Sequence, residues 1–288
     1  MLLGRRRTAR VCTYGGVLML VFVLFIMLQA LVTRDDVLND FASVGSSRVF
    51  SSDTGLSIFD YPADDQRLVN YVRDVLIKQY HRSSTEPPYN LTLDRLNSDY
   101  SRGQSKIIDE HLNKKNVGFF VDVGAGDGES NSVTLFFERE RTYNGLLIEP
   151  YPGRYKTLLT KHRKAHTLQA CLRTNRTGNV KEYMAVKERV STVVPCLWLE
   201  TILAATGQKV IDILSINVRD EEEDIVRIIP FHKLDIRVVS IEFSHDTNSY
   251  IEIVKYMAKI DYVAIHQIVY HPLHKVDFVF AKKTKVKK

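Results

Sequence analysis

The chain has 288 residues, with 40 Lys and Arg against 34 Asp and Glu, and only three cysteines. Its length admits one large domain or two small ones once segments without a core are set aside. The net charge of +6 is not a nucleic-acid signature, because Arg5, Arg6, Arg7 and Arg10 flank an apolar run and the C-terminal KKTKVKK reads as a solvated tail. No nucleic-acid partner is expected.

Residues Val11 to Val32 contain no charged side chain. At about 1.5 Å per residue, a helix of that length crosses a hydrocarbon core of about 30 Å. The run is longer than the h-region of about 7–15 residues in a cleaved signal peptide, and no small-x-small cleavage site follows, so it is expected to remain as a signal anchor. The arginines precede it, whereas Asp35, Asp36 and Asp40 follow Arg34, which places residues 1–10 in the cytosol and the rest in the ER lumen, a type II single-pass topology. Cys12, at the membrane border, reads as a small apolar residue rather than an acylation site. Residues 33–63, rich in Ser, Asp and Gly, read as a stem. The sequons at Asn90 and Asn175 are candidate glycosylation sites that fit a luminal domain. Cys171 and Cys196 either bridge in the oxidising lumen or stay as two buried thiols.

Residues 64–116 form a helical lead-in. Leu68, Val69, Val72, Val75, Leu76 and Tyr80 recur at helical spacing behind Asp64-Asp65, predicting a helix from Asp64 to Tyr80, and Pro87-Pro88 then breaks the chain. Over residues 117–283, apolar runs alternate with amphipathic stretches, the pattern of a parallel sheet crossed by helices. Seven strands are expected: Phe119 to Val123, Gly145 to Glu149, Thr167 to Leu172, Ile211 to Val218, Arg237 to Phe243, Tyr262 to Gln267 and Val276 to Ala281. Helices are expected near 130–141, 152–163, 197–205, 221–229 and 247–259. The HPLHK link between the last two strands is too short for a helical crossover, so they should pair antiparallel. Residues 284–288 are the basic tail.

The most specific feature is FFVDVGAGDG, Phe119 to Gly128, a buried strand running into three glycines ahead of a helix. Glycines let the backbone turn tightly and approach a ligand, and a helix N-terminus offers unpaired N–H groups. Glu129 stands where the dinucleotide fingerprint has its third glycine, which argues against NAD. Glu149 ends the second strand, where an acid accepts hydrogen bonds from both ribose hydroxyls. The plainer alternative is a tight turn and a strand-end charge.

With that loop and Glu149 in hand, the chain resembles the FkbM-type methyltransferase family, and more closely its arthropod Star-like branch of type II membrane proteins. The resemblance is carried by DDQRLVNYVRD from Asp64, PYNLT from Pro88, DYSRGQSKIIDE from Asp99, GFFVDVGAGDGESNSVTLFFERE from Gly118, NGLLIEPYP from Asn144, RKAHTLQACL from Arg163, VVPC from Val193 and KLDIRVVSIEF from Lys233. It implies the α/β, Rossmann-like fold of class I methyltransferases, a doubly wound and mostly parallel seven-stranded sheet. It also implies S-adenosylmethionine at Asp122, Gly124, Gly126, Asp127, Gly128 and Glu149.

One stretch departs from the family's pattern. Where an Asp-Val-Glu-Gly type of motif is common after the fourth strand, this chain has Asn217, Val218, Arg219 and Asp220. A neutral amide takes no proton, so Glu242 and His245 become the candidate bases for catalysis. Two readings follow. One is a non-catalytic Star-like protein of the ER and Golgi membranes that moves membrane-anchored EGF-type growth-factor precursors, with the cofactor site retained or vestigial. The other is an active S-adenosylmethionine-dependent O-methyltransferase of the secretory pathway. His266, His271 and His274 flank a hairpin without metal-ligand spacing, so no metal is expected.

Overall fold

A computed structural model describes residues 57–80, 86–92, 99–174, 177–185, 190–219, 221–243, 247–270 and 275–283. The chain divides into two compact units, residues 1–58 and 59–288, and all the helices and strands named here lie in the second. The expected cytosolic tail and anchor at 11–32, most of the expected stem, Cys12, Asn175, His245, His271, His274 and the basic tail lie outside the described residues. Among the described residues no helix is long and apolar enough to cross a membrane.

The lead-in opens with α1, Gln66–Tyr71, whose N-cap Asp65 accepts a hydrogen bond from the Arg67 N–H, satisfying one of the first-turn donors. The expected single helix to Tyr80 stops short. It passes into a π-helical turn, Val72–Leu76, and then a two-residue strand β1, Ile77–Lys78, because Ile77 finds a partner at the edge of the main sheet. Helix α2, Gln104–His111, follows the proline break.

The main sheet is built from β1, β2 (Phe119–Val123), β3 (Asn144–Ile148), β4 (His166–Leu168), β8 (Val210–Ile216), β9 (Asp235–Phe243), β10 (Tyr262–Tyr270) and β11 (Lys275–Lys282). Its order is β1-β4-β3-β2-β8-β9-β11-β10. The pairs β4-β3, β3-β2, β2-β8 and β8-β9 are parallel, and β11 runs antiparallel between β9 and β10, as the short link requires. The sheet therefore has eight strands where seven were expected, the addition being the edge strand β1, antiparallel to β4.

A second correction concerns the middle of the chain. The expected strand Thr167 to Leu172 is broken: β4 ends at Leu168, and Cys171–Leu172 form β5 in a separate three-stranded sheet ordered β5-β7-β6, with β6 at Val180–Ala185 and β7 at Val190–Leu197. The hairpin β6-β7 was not foreseen, because Val180 and Val193 are exposed and Pro195 interrupts the strand pattern. Cys171 and Cys196 face each other in the β5-β7 register and form a disulfide that ties the two strands.

The connecting helices are α3 (Leu135–Glu140), α4 (Pro152–Thr160), α5 (Leu199–Thr206), α6 (Glu222–Ile228) and α7 (Thr247–Lys259). The first is shorter than expected, because residues 130–134 form turns with Asn131 at φ +57°. Ile108 of α2, Phe136 and Phe137 of α3, and Tyr155 and Leu158 of α4 share a core with Phe120, Leu147, Ile213, Val238 and Val279 of the strands. Elsewhere α1 packs on α5, and α6 on α7. All five residues of β2 are buried, as a central parallel strand covered on both faces requires.

Candidate functional site

From β2 the chain runs outward through β3 and β4; from β8 it runs through β9 in the other direction. Between β2 and β8 the strand order therefore reverses, and ligands bind at the carboxyl ends of strands at such a switch point. The glycine loop leaves β2 there, Glu149 follows β3, Asn217 follows β8, and Glu242 lies near the end of β9.

The loop is fastened on both sides. The Gly124 and Ala125 N–H groups donate to the Ile148 carbonyl at 2.9 and 3.0 Å. Gly124, at φ +78°, has no room for a side chain, since a Cβ would lie 2.0 Å from the Asn217 carbonyl oxygen. Gly126, at φ +61°, has nothing within 4 Å of a Cβ position, so its surface is open for a ligand to approach. The Gly126 N–H donates to Glu149 Oε2 at 2.7 Å, and the Tyr151 N–H donates to Oε1 at 2.9 Å. Burial raises the Glu149 carboxyl above its ordinary value, partly offset by those two N–H groups.

The other acids of the loop divide their work. Asp127 accepts from the N–H groups of Glu129 and Ser130 and from the Ser130 hydroxyl at 2.9, 2.8 and 2.7 Å. Burial pushes its pKa up, but these bonds and nearby Lys161 outweigh that and hold it low. Asp122 is buried, which raises its carboxyl, and it accepts from the Thr134 hydroxyl at 2.7 Å.

The partners that fasten the loop went unnoticed in the sequence. Arg163 donates to the Gly128 carbonyl and pairs with buried Glu138 at 2.9 Å; Lys161 pairs with fully buried Glu129 at 2.6 Å. The Thr92 N–H and hydroxyl also bond Glu129, so the sequon threonine takes part in the lock, while Asn90 is exposed and donates to the Thr160 carbonyl. Nothing in local periodicity marks such pairs, whose members lie 25 and 32 residues apart.

Two cavities meet at the loop. The smaller, of about 110 Å³, is lined by Glu149, Tyr151, Leu172, Lys181 and Tyr183 among others; the larger, of about 520 Å³, by Asp122, Gly126, Asp127, Ser240 and Glu242 among others. Gly124, Arg154, Asn217, Val218 and Arg219 line both. Asn217 Nδ2 donates to Glu242 Oε2 at 3.1 Å, so the amide in place of an acid holds the neighbouring carboxylate. The structure thus gathers Asp122, Gly124, Gly126, Asp127, Glu149 and Glu242 around one cleft, with Gly128 behind it under Leu158. Among the described residues no group of three or more His, Cys, Asp or Glu is arranged to hold a metal ion.

These residues fit a nucleoside cofactor. Each Glu149 oxygen has accepted one hydrogen bond and keeps a second lone pair for a ribose hydroxyl, and open Gly126 leaves space for the rest of the ligand.

A mixed sheet with this strand order and this cleft defines an α/β, Rossmann-like methyltransferase fold. More particularly, residues 122–264 match the family model described as the methyltransferase FkbM domain. No curated protein matches the chain. Among solved structures it is similar to methyltransferase FkbM from Methylobacillus flagellatus KT, at 14% identity and TM-score 0.42, covering 62% of this chain and 48% of that one. It is also similar to the METTL16 MTase domain, at 13% identity and TM-score 0.42, covering 76% and 79%. A third is M. capricolum TrmK in complex with S-adenosyl-homocysteine, at 10% identity and TM-score 0.39, covering 64% and 69%.

Proposed function

We infer that the cleft binds S-adenosylmethionine and directs its methyl group to an acceptor hydroxyl, with Glu242 as general base. The observation that carries this reading is the Glu149 carboxylate, fastened to the glycine loop through Gly126 and lining the smaller cavity, which shares Gly124, Asn217 and Val218 with the larger cavity that Glu242 lines. When bound, the cofactor supplies a methyl on a sulfonium, which is already activated and leaves a neutral thioether. The protein's part is alignment and removal of one proton from the acceptor oxygen as it gains the methyl. Glu242 lines the larger cavity and takes that proton, and Asn217 orients the carboxylate through its amide. Asp122 and Asp127 shape the loop side.

The test is release of S-adenosylhomocysteine by the full-length protein with a panel of hydroxylated acceptors. Glu242→Gln should lower turnover on an accepted compound by about 10²-fold or more, the scale of a general base, while S-adenosylmethionine affinity is kept. Undiminished turnover would remove Glu242 from the reaction.

A second reading has its own support. The neutral Asn217 where the family resemblance leads one to expect an acid favours a non-catalytic Star-like role, and a disulfide of the kind found in oxidising compartments fits a luminal address. That protein would be a single-pass type II protein of the ER and Golgi membranes, anchored by residues 11–32, that carries EGF-type precursors forward from the ER. Under this reading, Glu242→Gln leaves precursor export unchanged.

A further inference from the structure

We propose that Arg154 and Arg219 form an anion clamp that selects an acceptor bearing a carboxylate or a phosphate. This rests on the reading of the cleft as a methyltransferase site and names the acceptor class. Both arginines line the smaller and the larger cavity, so they stand where the nucleoside end of the cleft meets the acceptor end. Three carboxylates of the larger cavity have partners within the protein: Asp122 has Thr134, Asp127 has the loop N–H groups and Ser130, and Glu242 has Asn217. A fourth, Glu222, is buried. The two guanidiniums are the reverse. Both side chains are exposed and, among the described residues, neither makes a salt bridge; the charge of Arg154 acts on the Glu149 carboxylate from a distance. Arg154 lies over the Tyr151 ring, its guanidinium carbon 5.3 Å from the ring centre.

A guanidinium presents planar paired donors that match a carboxylate or phosphate, and the match gains strength away from bulk water. A neutral acceptor leaves both arginines without a close ion pair beside a cationic sulfonium, a like-charge arrangement. An anionic acceptor offsets that charge, by one unit for a carboxylate and by up to about two for a phosphate, so acceptor and cofactor should favour each other's binding.

The experiment measures binding of three matched, hydroxyl-rich probes to the full-length protein saturated with S-adenosylhomocysteine: glucose, glucuronate and glucose 6-phosphate. At least one anionic probe should bind about tenfold or more tightly than glucose, and the better of the two identifies the carboxylate or the phosphate as the selected group. Arg154→Gln and Arg219→Gln should each reduce that preference about fivefold or more, with S-adenosylhomocysteine affinity of Arg219→Gln unchanged. Equal binding of all three probes, or preference unaltered in both variants, overturns the clamp alone. So does a loss of S-adenosylhomocysteine affinity in Arg219→Gln, which would assign that arginine to the cofactor's own carboxylate. Failure of the wild-type protein to bind S-adenosylhomocysteine overturns the methyltransferase reading and the clamp with it.

Discussion

Gly124 and Gly126 lie two residues apart in left-handed conformations, yet only one is crowded by its own protein. Gly124→Ala forces a methyl against the Asn217 carbonyl in addition to backbone strain and should cost roughly 3 kcal/mol in denaturant unfolding. Gly126→Ala carries the strain alone and should cost about 1 kcal/mol while blocking the ligand's approach. Asp122 makes a pH prediction. Burial raises its folded-state pKa above the unfolded value, so the folded protein holds the proton more tightly. The stability linked to that proton is full below the ordinary carboxylate range and is lost as pH rises through the raised pKa. Asp122→Asn, whose carbonyl still accepts from Thr134, removes this dependence. Melting curves across pH should show the wild type losing ground to the variant as pH rises. The loop glycines and Glu149 were legible in sequence because their chemistry is local: a turn, a strand end and a fixed spacing. Arg163, Lys161 and their buried acids were not, since their partners are set by how α3 and α4 close over the loop.

At the level of elements, the small sheet β5-β7-β6 walls the smaller cavity of the cleft. Cys171 and Leu172 of β5 and Lys181 and Tyr183 of β6 line the smaller cavity, and Tyr183 meets Tyr151 edge-on at 4.7 Å between ring centres. Lys181 pairs with Glu221, just before α6. The Cys171–Cys196 disulfide spans 25 residues of chain and holds this sheet together. Replacing both cysteines by Ser should lower stability by about 3 kcal/mol in denaturant unfolding, through the freedom restored to the unfolded loop. The sequence left disulfide and free thiols open, because two cysteines fix no register; the β5-β7 pairing decides it. The hairpin itself was hidden because a small sheet with one solvated face carries a weak apolar signal, with Val180 50% and Val193 63% exposed.

Across the whole molecule, the parallel strands were legible from their apolar runs, and β10-β11 from the length of their link, since both follow from how much chain a connection needs. Edge strand β1 was not, because two residues leave no periodic trace and Ile77 becomes a strand only when Leu168 lies beside it. The wider account places nucleoside recognition at Glu149 and the glycine loop, proton removal at Glu242, and acceptor charge at two arginines between them. Its central claim is that the cleft binds S-adenosylmethionine, and calorimetric titration of the full-length protein, with Glu149→Ala alongside, tests it most directly. The account predicts one binding site per chain whose affinity falls at least about tenfold in the variant, the loss expected when two charge-assisted hydrogen bonds to the ribose are removed. A folded wild-type protein that gives no heat with S-adenosylmethionine, or a variant that binds it as well as the wild type, would contradict it.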